Sequence, residues 1–217
     1  MSKDISNTGI RRYFAVKFVY RNDILLFFYV HDFYDIIKIK IYGRETMAKG
    51  YVHVYTGNGK GKTTAALGLS MRAVCAGKRV FFGQFIKGLE YSELKCTEFT
   101  DNLEIEQFGR GCFIEKAATE EDISAAVRGL KRLKEILKSG SYDIVVMDEL
   151  NIALYFKLLS VEEALTAIRG RAENVEVIIT GRYAPEEIIN IADLVTEMKE
   201  IKHYYNEGIE ARKGIEF

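Results

Sequence analysis

Histidine and cysteine are scarce in this chain, three of each among 217 residues, there is one proline, and lysine plus arginine equals aspartate plus glutamate at 31 each. The cysteines, Cys75, Cys96 and Cys112, stand far apart with no C-x-x-C pair, so the close-spaced ligand set of a zinc site is lacking. An odd, sparse set of thiols suits a reducing cytoplasm, and Cys75, on the helix expected after residue 61, is read as a small core residue. A net charge of zero supplies no global field toward nucleic acid or an acidic membrane surface, although a local patch stays open. No repeat with a period of about 20 to 50 residues is present, and no low-complexity linker cuts residues 47 to 217.

Residues 1 to 46 differ from the rest. They hold 10 of the 26 aromatics, Phe27-Phe28-Tyr29 and Phe33-Tyr34 among them. Ile24 to Val30 is apolar but too short to span a bilayer, and Arg21, Asp23, His31 and Asp32 bracket it. Arg11-Arg12-Tyr13-Phe14 looks superficially like a twin-arginine export signal, yet no small-residue cleavage site follows. Met47 stands just before the first strand of the main domain, and Gly43-Arg44-Glu45 can be encoded by a purine-rich stretch of ribosome-binding type. The expectation is therefore an atypical N-terminal extension or mis-assigned start over 1–46, followed by one domain over 47–217, a length that a single core serves.

The pivotal stretch is Tyr51 to Thr64, YVHVYTGNGKGKTT. A β-type run enters a glycine-rich turn that opens an amphipathic helix near Lys62. Gly57, Gly59 and Gly61 allow successive N–H groups to turn inward on a phosphate. Asn58 and Lys60 lie between them, Lys62 adds a point charge, Thr63 offers a hydroxyl to Mg²⁺, and Thr64 continues the helix start, whose dipole favours anions. The match to G-x-x-x-x-G-K-[ST] is imperfect, because Thr56 occupies its first position. A plain glycine turn would also fit this stretch taken alone.

The partner motif is Tyr142 to Leu150, YDIVVMDEL, where the apolar run Ile144 to Met147 delivers Asp148 and Glu149 at a strand's carboxyl end. A carboxylate there can hold Mg²⁺ beside the loop threonine. Other strands are expected at Arg79–Phe85, Asn102–Phe108, Val175–Thr180 and Ala192–Met198, with Gly109-Arg110-Gly111 as a loop. Helices are expected from Lys62 to about Ala76 with Gly77 as C-cap, from Thr119 to about Ser139, after Ser160, and over a short stretch that includes Glu186 to Asn190 with Pro185 in its first turn. Ala65, Leu67, Leu69, Ala73 and Val74 are expected on the buried side of the first helix. Ile123, Ala126, Val127, Leu130, Leu133 and Leu137 are expected on that of the second. Gln84 and Lys87 close one strand and Arg182 another, at carboxyl ends where open α/β sheets place ligands, although a solvated edge or a surface ion pair would also explain them. The pattern reads as an α/β fold with a mostly parallel central sheet flanked by helices.

TGNGKGKTTAALG, QFIKG, MDELNIAL, VIITGR followed by AP, ADLVTEM and the closing ARKGIEF stand in order from about Lys49 to Phe217. Together they resemble the corrinoid adenosyltransferases of the CobA/BtuR type, whose form of the loop motif includes the Thr56 departure. The resemblance implies a RecA-like P-loop fold and transfer of the 5′-deoxyadenosyl group of ATP to a cobalt(I) corrinoid, in cobalamin biosynthesis or salvage, with release of tripolyphosphate. On this reading Lys62, Thr63 and Glu149 are catalytic. Gly57, Asn58, Gly59, Lys60, Gly61, Lys62, Thr63, Thr64, Gln84 and Arg182 contact the nucleotide or corrinoid. Thr63 and Glu149, with Asp148 competing, hold Mg²⁺. It further implies an electron-donating flavoprotein or other reductant as partner, a cytoplasmic homodimer, and no nucleic acid or membrane. The segment around His203 follows the family only loosely. The rival readings are an ordinary P-loop ATPase or small-molecule kinase and, from another class, a RecA-like nucleic-acid-binding module.

Overall fold

The computed structural model describes residues 13–20, 23–30, 49–109 and 118–217. Readings placed on Arg11, Arg12, residues 31–47, and Arg110 to Cys112 lie outside the described residues. The chain divides into two compact units, Met1–Glu45 and Thr46–Phe217. In the first, β1 (Tyr13–Tyr20) pairs antiparallel with β2 (Asp23–Val30), with Tyr13 opposite Val30 and Tyr20 opposite Asp23.

The second unit is built on six strands: β3 (Val52–Thr56), β4 (Val80–Gln84), β5 (Leu103–Gln107), β6 (Ile144–Asp148), β7 (Glu176–Thr180) and β8 (Leu194–Glu197). Their order is β5-β4-β6-β7-β3-β8, and every pairing is parallel. The helices are α1 (Lys62–Cys75), α2 (Glu120–Ser139), α3 (Leu150–Tyr155), α4 (Val161–Arg169) and α5 (Glu186–Ile191).

Strand periodicity sorts the core into two layers. Phe81, Val145, Met147, Val177 and Ile179 face one way, onto Leu130, Leu133 and Leu137 of α2, Leu165 and Ile168 of α4, and Ile188 of α5. Val80, Phe82, Ile144, Val146 and Ile178 alternate with them and face Ala66 and Ala73 of α1. A strand covered on both sides reads as a continuous apolar run, which is why β4, β6 and β7 are legible as central. β8, exposed along its length, closes one edge.

Local chemistry sets the helix ends. Thr119 caps α2 and Ser160 caps α4, each in a reciprocal capping box, with Asp122 and Glu163 respectively. Ala76, not Gly77, is the C-cap of α1; Gly77 is the next residue, in the left-handed region at φ 80°, and its N–H donates to Val74 O at 2.9 Å. Pro185 is the N-cap of α5 rather than a residue of its first turn.

Three burial expectations are corrected. Ile123 and Val127 are exposed, because α2 turns its small residues Ala125, Ala126 and Gly129 to the sheet together with the leucines. On α1 the buried positions are Lys62, Ala66, Ser70 and Ala73, and Ala65, Leu67, Leu69 and Val74 are only partly covered. Cys75, in the last turn of α1, is exposed. The close approach of α2 has a measurable consequence, since a Cβ at Gly129 would lie 2.4 Å from Phe108 Cγ. Gly129→Ala is expected to destabilise the domain by about 1–3 kcal/mol, read as a fall of about 5 °C in thermal unfolding followed by circular dichroism.

Candidate active site

At the carboxyl end of β3 the chain enters the loop Gly57 to Gly61 and then α1. Gly57 and Gly61 sit at φ 95° and 120°. A Cβ on Gly57 would meet Met198 O at 2.5 Å, and one on Gly59 the same oxygen at 2.8 Å. The loop is held there by Gly59 N–H donating to Met198 O at 2.7 Å. No side chain caps α1 and no acid stands in its first turn, so its N-terminal N–H groups and dipole face the loop cavity uncompensated, the arrangement that binds phosphate.

Lys62 is buried and donates from Nζ to Gly57 O at 2.9 Å and Gly59 O at 2.7 Å. Burial, and then the Arg182 charge, lower its pKa, while Glu149 and Asp148 oppose that shift. The ammonium is thus folded back on the loop's own carbonyls. Arg182 Nη2 donates to Asn58 O at 3.3 Å, which brings the end of β7 to the loop. Thr64 is exposed on the first turn of α1. Lys60 points the other way, to Tyr204 OH at 2.8 Å, Ile215 O at 3.1 Å and the Glu216 carboxylate.

Asp148, fully buried at the end of β6, is the hub. Its Oδ1 accepts from Thr63 Oγ1 at 2.8 Å and Thr180 Oγ1 at 2.7 Å, and its Oδ2 from Gln84 Nε2 at 3.3 Å, with Lys87 Nζ at 3.0 Å. Sheet order explains the convergence, because β7, which carries Thr180, lies between β3 and β6, and β4, which carries Gln84, flanks β6 on the other side. Four donors occupy the roughly four lone-pair sites of a carboxylate. Burial works against the charge on Lys87, but Asp148 and Glu93 outweigh it and its pKa stands above lysine's usual value.

Glu149 begins α3 in the left-handed region, φ 57°, with its N–H donating to Thr180 Oγ1 at 3.0 Å. Burial and the neighbouring Asp148 push its carboxyl pKa up to about 7, against the pull of Lys87, Lys62 and Arg182. Taking the carboxyl out of water is the larger cause, and the three cations do not offset it.

The structure therefore gathers Lys62, Thr63, Asp148, Glu149, Gln84 and Arg182 at one edge of the sheet. Lys87, which the sequence places at the same strand end, belongs with them, as do Thr180, Glu93 and Gln107, to which the sequence reading assigned no role. Glu93 accepts from Gln84 at 3.1 Å, and Gln107 donates to Gln84 Oε1 at 3.0 Å. The signal for Thr180 was a hydroxyl at the carboxyl end of a buried strand. The signal for Lys87 was its place three residues after Gln84. His203 caps the short turn Tyr204–Glu207, its Nδ1 accepting from Tyr205 N–H at 3.0 Å. A depression of about 420 Å³ lined by Arg79, Arg132, Ser141 and Tyr142 opens at the amino ends of β4 and β6, the opposite edge of the sheet.

Among the described residues no helix is long and apolar enough to cross a membrane. Residues 48–217 match the family described as ATP:corrinoid adenosyltransferase BtuR/CobO/CobP. A corrinoid adenosyltransferase of Sinorhizobium sp is 36% identical over 182 residues, covering 82% of this chain and 85% of that protein. That of Escherichia coli K12 is 35% identical over 184 residues, covering 83% and 94%. That of Pseudomonas aeruginosa PAO1 is 37% identical over 171 residues, covering 78% and 84%.

Proposed function

The chain belongs to the ATP:corrinoid adenosyltransferase family, and on that premise we propose that it transfers the 5′-deoxyadenosyl group of ATP to a cobalt(I) corrinoid with tripolyphosphate as leaving group. The observation that carries this reading is the phosphate loop with its buried Lys62, set against the Thr63–Asp148 pair. In the reaction the cobalt(I) electron pair forms the bond to C5′, the C5′–O5′ bond breaks, and its electrons leave on the triphosphate. Cobalt(I) is already a strong nucleophile, so the protein's work is alignment and stabilisation of charge growing on the phosphates. Lys62, the loop N–H groups and the start of α1 are placed for that. His53, whose Nε2 lies 2.6 Å from the Glu176 carboxylate, and His203, a turn cap, are both in structural use.

The residues present fit a hard divalent cation. Thr63 donates its hydroxyl hydrogen bond to Asp148, which leaves the threonine oxygen's lone pairs for a metal, while Glu149 is the carboxylate whose charged form burial and Asp148 disfavour. We assign Thr63 and Glu149 as the residues that hold Mg²⁺. Asp148, its lone pairs engaged, orients the threonine, and it remains the competing ligand. Mg²⁺ bound there supplies charge neutralisation to the triphosphate. Arg182 is the residue we assign to substrate contact; Gln84, fully buried and engaged by Glu93, Asp148 and Gln107, braces the carboxylate hub instead of touching substrate. The family resemblance further supports a cytoplasmic homodimer served by a flavoprotein or other reductant, with residues 47–217 as the transferase domain.

The test mixes protein, ATP, Mg²⁺ and chemically reduced cobalamin under anaerobic conditions and follows the absorbance spectrum, with a competent family enzyme alongside. A light-sensitive alkylcobalamin and tripolyphosphate are expected. Production of ADP or inorganic phosphate without a cobalt–carbon bond would make the chain an ordinary P-loop ATPase or kinase.

A further inference from the structure

The tail of the chain meets the phosphate loop. Lys60, the loop lysine that does not face the cavity, gives its ammonium to the Glu216 carboxylate, Tyr204 OH and Ile215 O. Glu216 in turn accepts from Tyr204 OH and, at 2.7 Å, from the Arg212 N–H. The Arg212 guanidinium lies 5.0 Å from the centroid of the Tyr204 ring, and the Lys60 ammonium lies 5.5 Å from it. The hydrogen bond from Lys60 leads the causes that hold the Glu216 carboxyl down at about 2. One residue on, Phe217 O accepts from Ser92 Oγ at 3.0 Å. Ser92 opens the turn Ser92–Glu98, whose Glu93 takes part in the Gln84–Lys87–Asp148 network.

Two consecutive residues thus join the loop after β3 to the turn after β4, the segments that flank the carboxylate hub. We propose that residues 204–217 form a strap that positions the phosphate loop, with Lys60 as its anchor and Glu216, Tyr204 and Arg212 as its clasp. Lys60 on this view is a positioning residue: it holds the loop in the shape that Lys62 and the loop N–H groups present to a triphosphate, and it spends its own charge on the tail. The inference rests on the loop being a nucleotide site, but it can fail while adenosyl transfer stands.

The experiment measures equilibrium binding of MgATP without corrinoid, in the full chain, for Lys60→Met, Glu216→Gln, the double variant and Lys60→Arg. Thermal unfolding is read in parallel. Each single variant is expected to weaken MgATP by about fivefold, the scale of a networked ion pair. The double variant is expected to lose little more than either single one, because both remove the same contact. Lys60→Arg keeps a donor to Glu216 and is expected to restore most of the affinity. Melting temperatures should stay close to that of the wild type, since the clasp lies at the surface. Limited trypsin cleavage after Arg212 and Lys213 should speed up in Glu216→Gln and slow when MgATP is added to the wild type.

A direct phosphate role for Lys60 makes the opposite forecast. Glu216→Gln would then free the ammonium and tighten MgATP, while Lys60→Met alone weakens it. That pattern, additive losses in the double variant, or binding within twofold of wild type in both single variants, would overturn the strap.

Discussion

Lys62→Ala is expected to lower kcat/KM for adenosyl transfer by about 10²–10³, or about 3–4 kcal/mol, the scale of losing one preorganised charge-stabilising donor. The donor is preorganised because it is buried against Gly57 O and Gly59 O at the start of α1. Those carbonyls satisfy it only while the loop lacks an anion. Burial and Arg182 both work against its charge, so a phosphate oxygen meets an ammonium already stripped of most of its water. That exchange strengthens as negative charge grows on the leaving triphosphate, and the loss is therefore expected in kcat as well as in ATP affinity. Lys62→Arg is not expected to rescue, because the planar guanidinium does not fit the space a compact ammonium occupies between two carbonyls. Anaerobic formation of the cobalt–carbon bond under saturating and limiting ATP separates the two parameters. A variant within threefold of wild type would mean that the triphosphate lies elsewhere.

Much of this site was legible because its parts are local. The run Val52 to Thr56, the glycines after it and Lys62-Thr63 are contiguous, and the apolar run into Asp148 is a central strand by composition alone. Sheet order then does what no single stretch reveals: it sets β7 between β3 and β6 and so makes Thr180 a partner of Asp148. Lys60 and Glu216 are 156 positions apart, and nothing in the periodicity of either segment couples them. α3 was hidden for another reason. It starts directly on the last strand residues, through a left-handed Glu149, so MDELNIAL reads as a strand and its continuation rather than as a strand and a helix. The exposed Ile123 and Val127 show the limit of helical periodicity, which finds an apolar stripe without telling which part of it the small residues bring nearest the sheet.

The adjacent carboxylates should respond in opposite ways to removal. Asp148→Ala strips the hub from Thr63, Thr180 and Gln84 and leaves the largely buried Lys87 without its closest counter-charge. Breaking one side of such a pair costs about 3 kcal/mol or more, which in a domain of this size lowers the melting temperature by about 10 °C. Glu149 carries the reverse sign. Its folded pKa of about 7 lies above the ordinary glutamate value of 4.5, so between those pH values the native chain holds a proton that the unfolded chain has released. Its contribution to stability falls as pH rises through that window and stays unfavourable above it. Glutamine does not titrate, so metal-free Glu149→Gln is expected to melt several degrees above wild type at about pH 8 and to match it near pH 4.5. The same variant is expected to raise the Mg²⁺ concentration for half-maximal turnover by about tenfold or more, because it removes the carboxylate that the cation would neutralise. Thermal unfolding in chelator at the two pH values, with a Mg²⁺ titration of turnover, reads both effects. If Glu149→Gln loses stability at pH 8 while Asp148→Asn alone shifts the Mg²⁺ requirement, the roles are exchanged: Asp148 would be the ligand and Glu149 the residue that braces it.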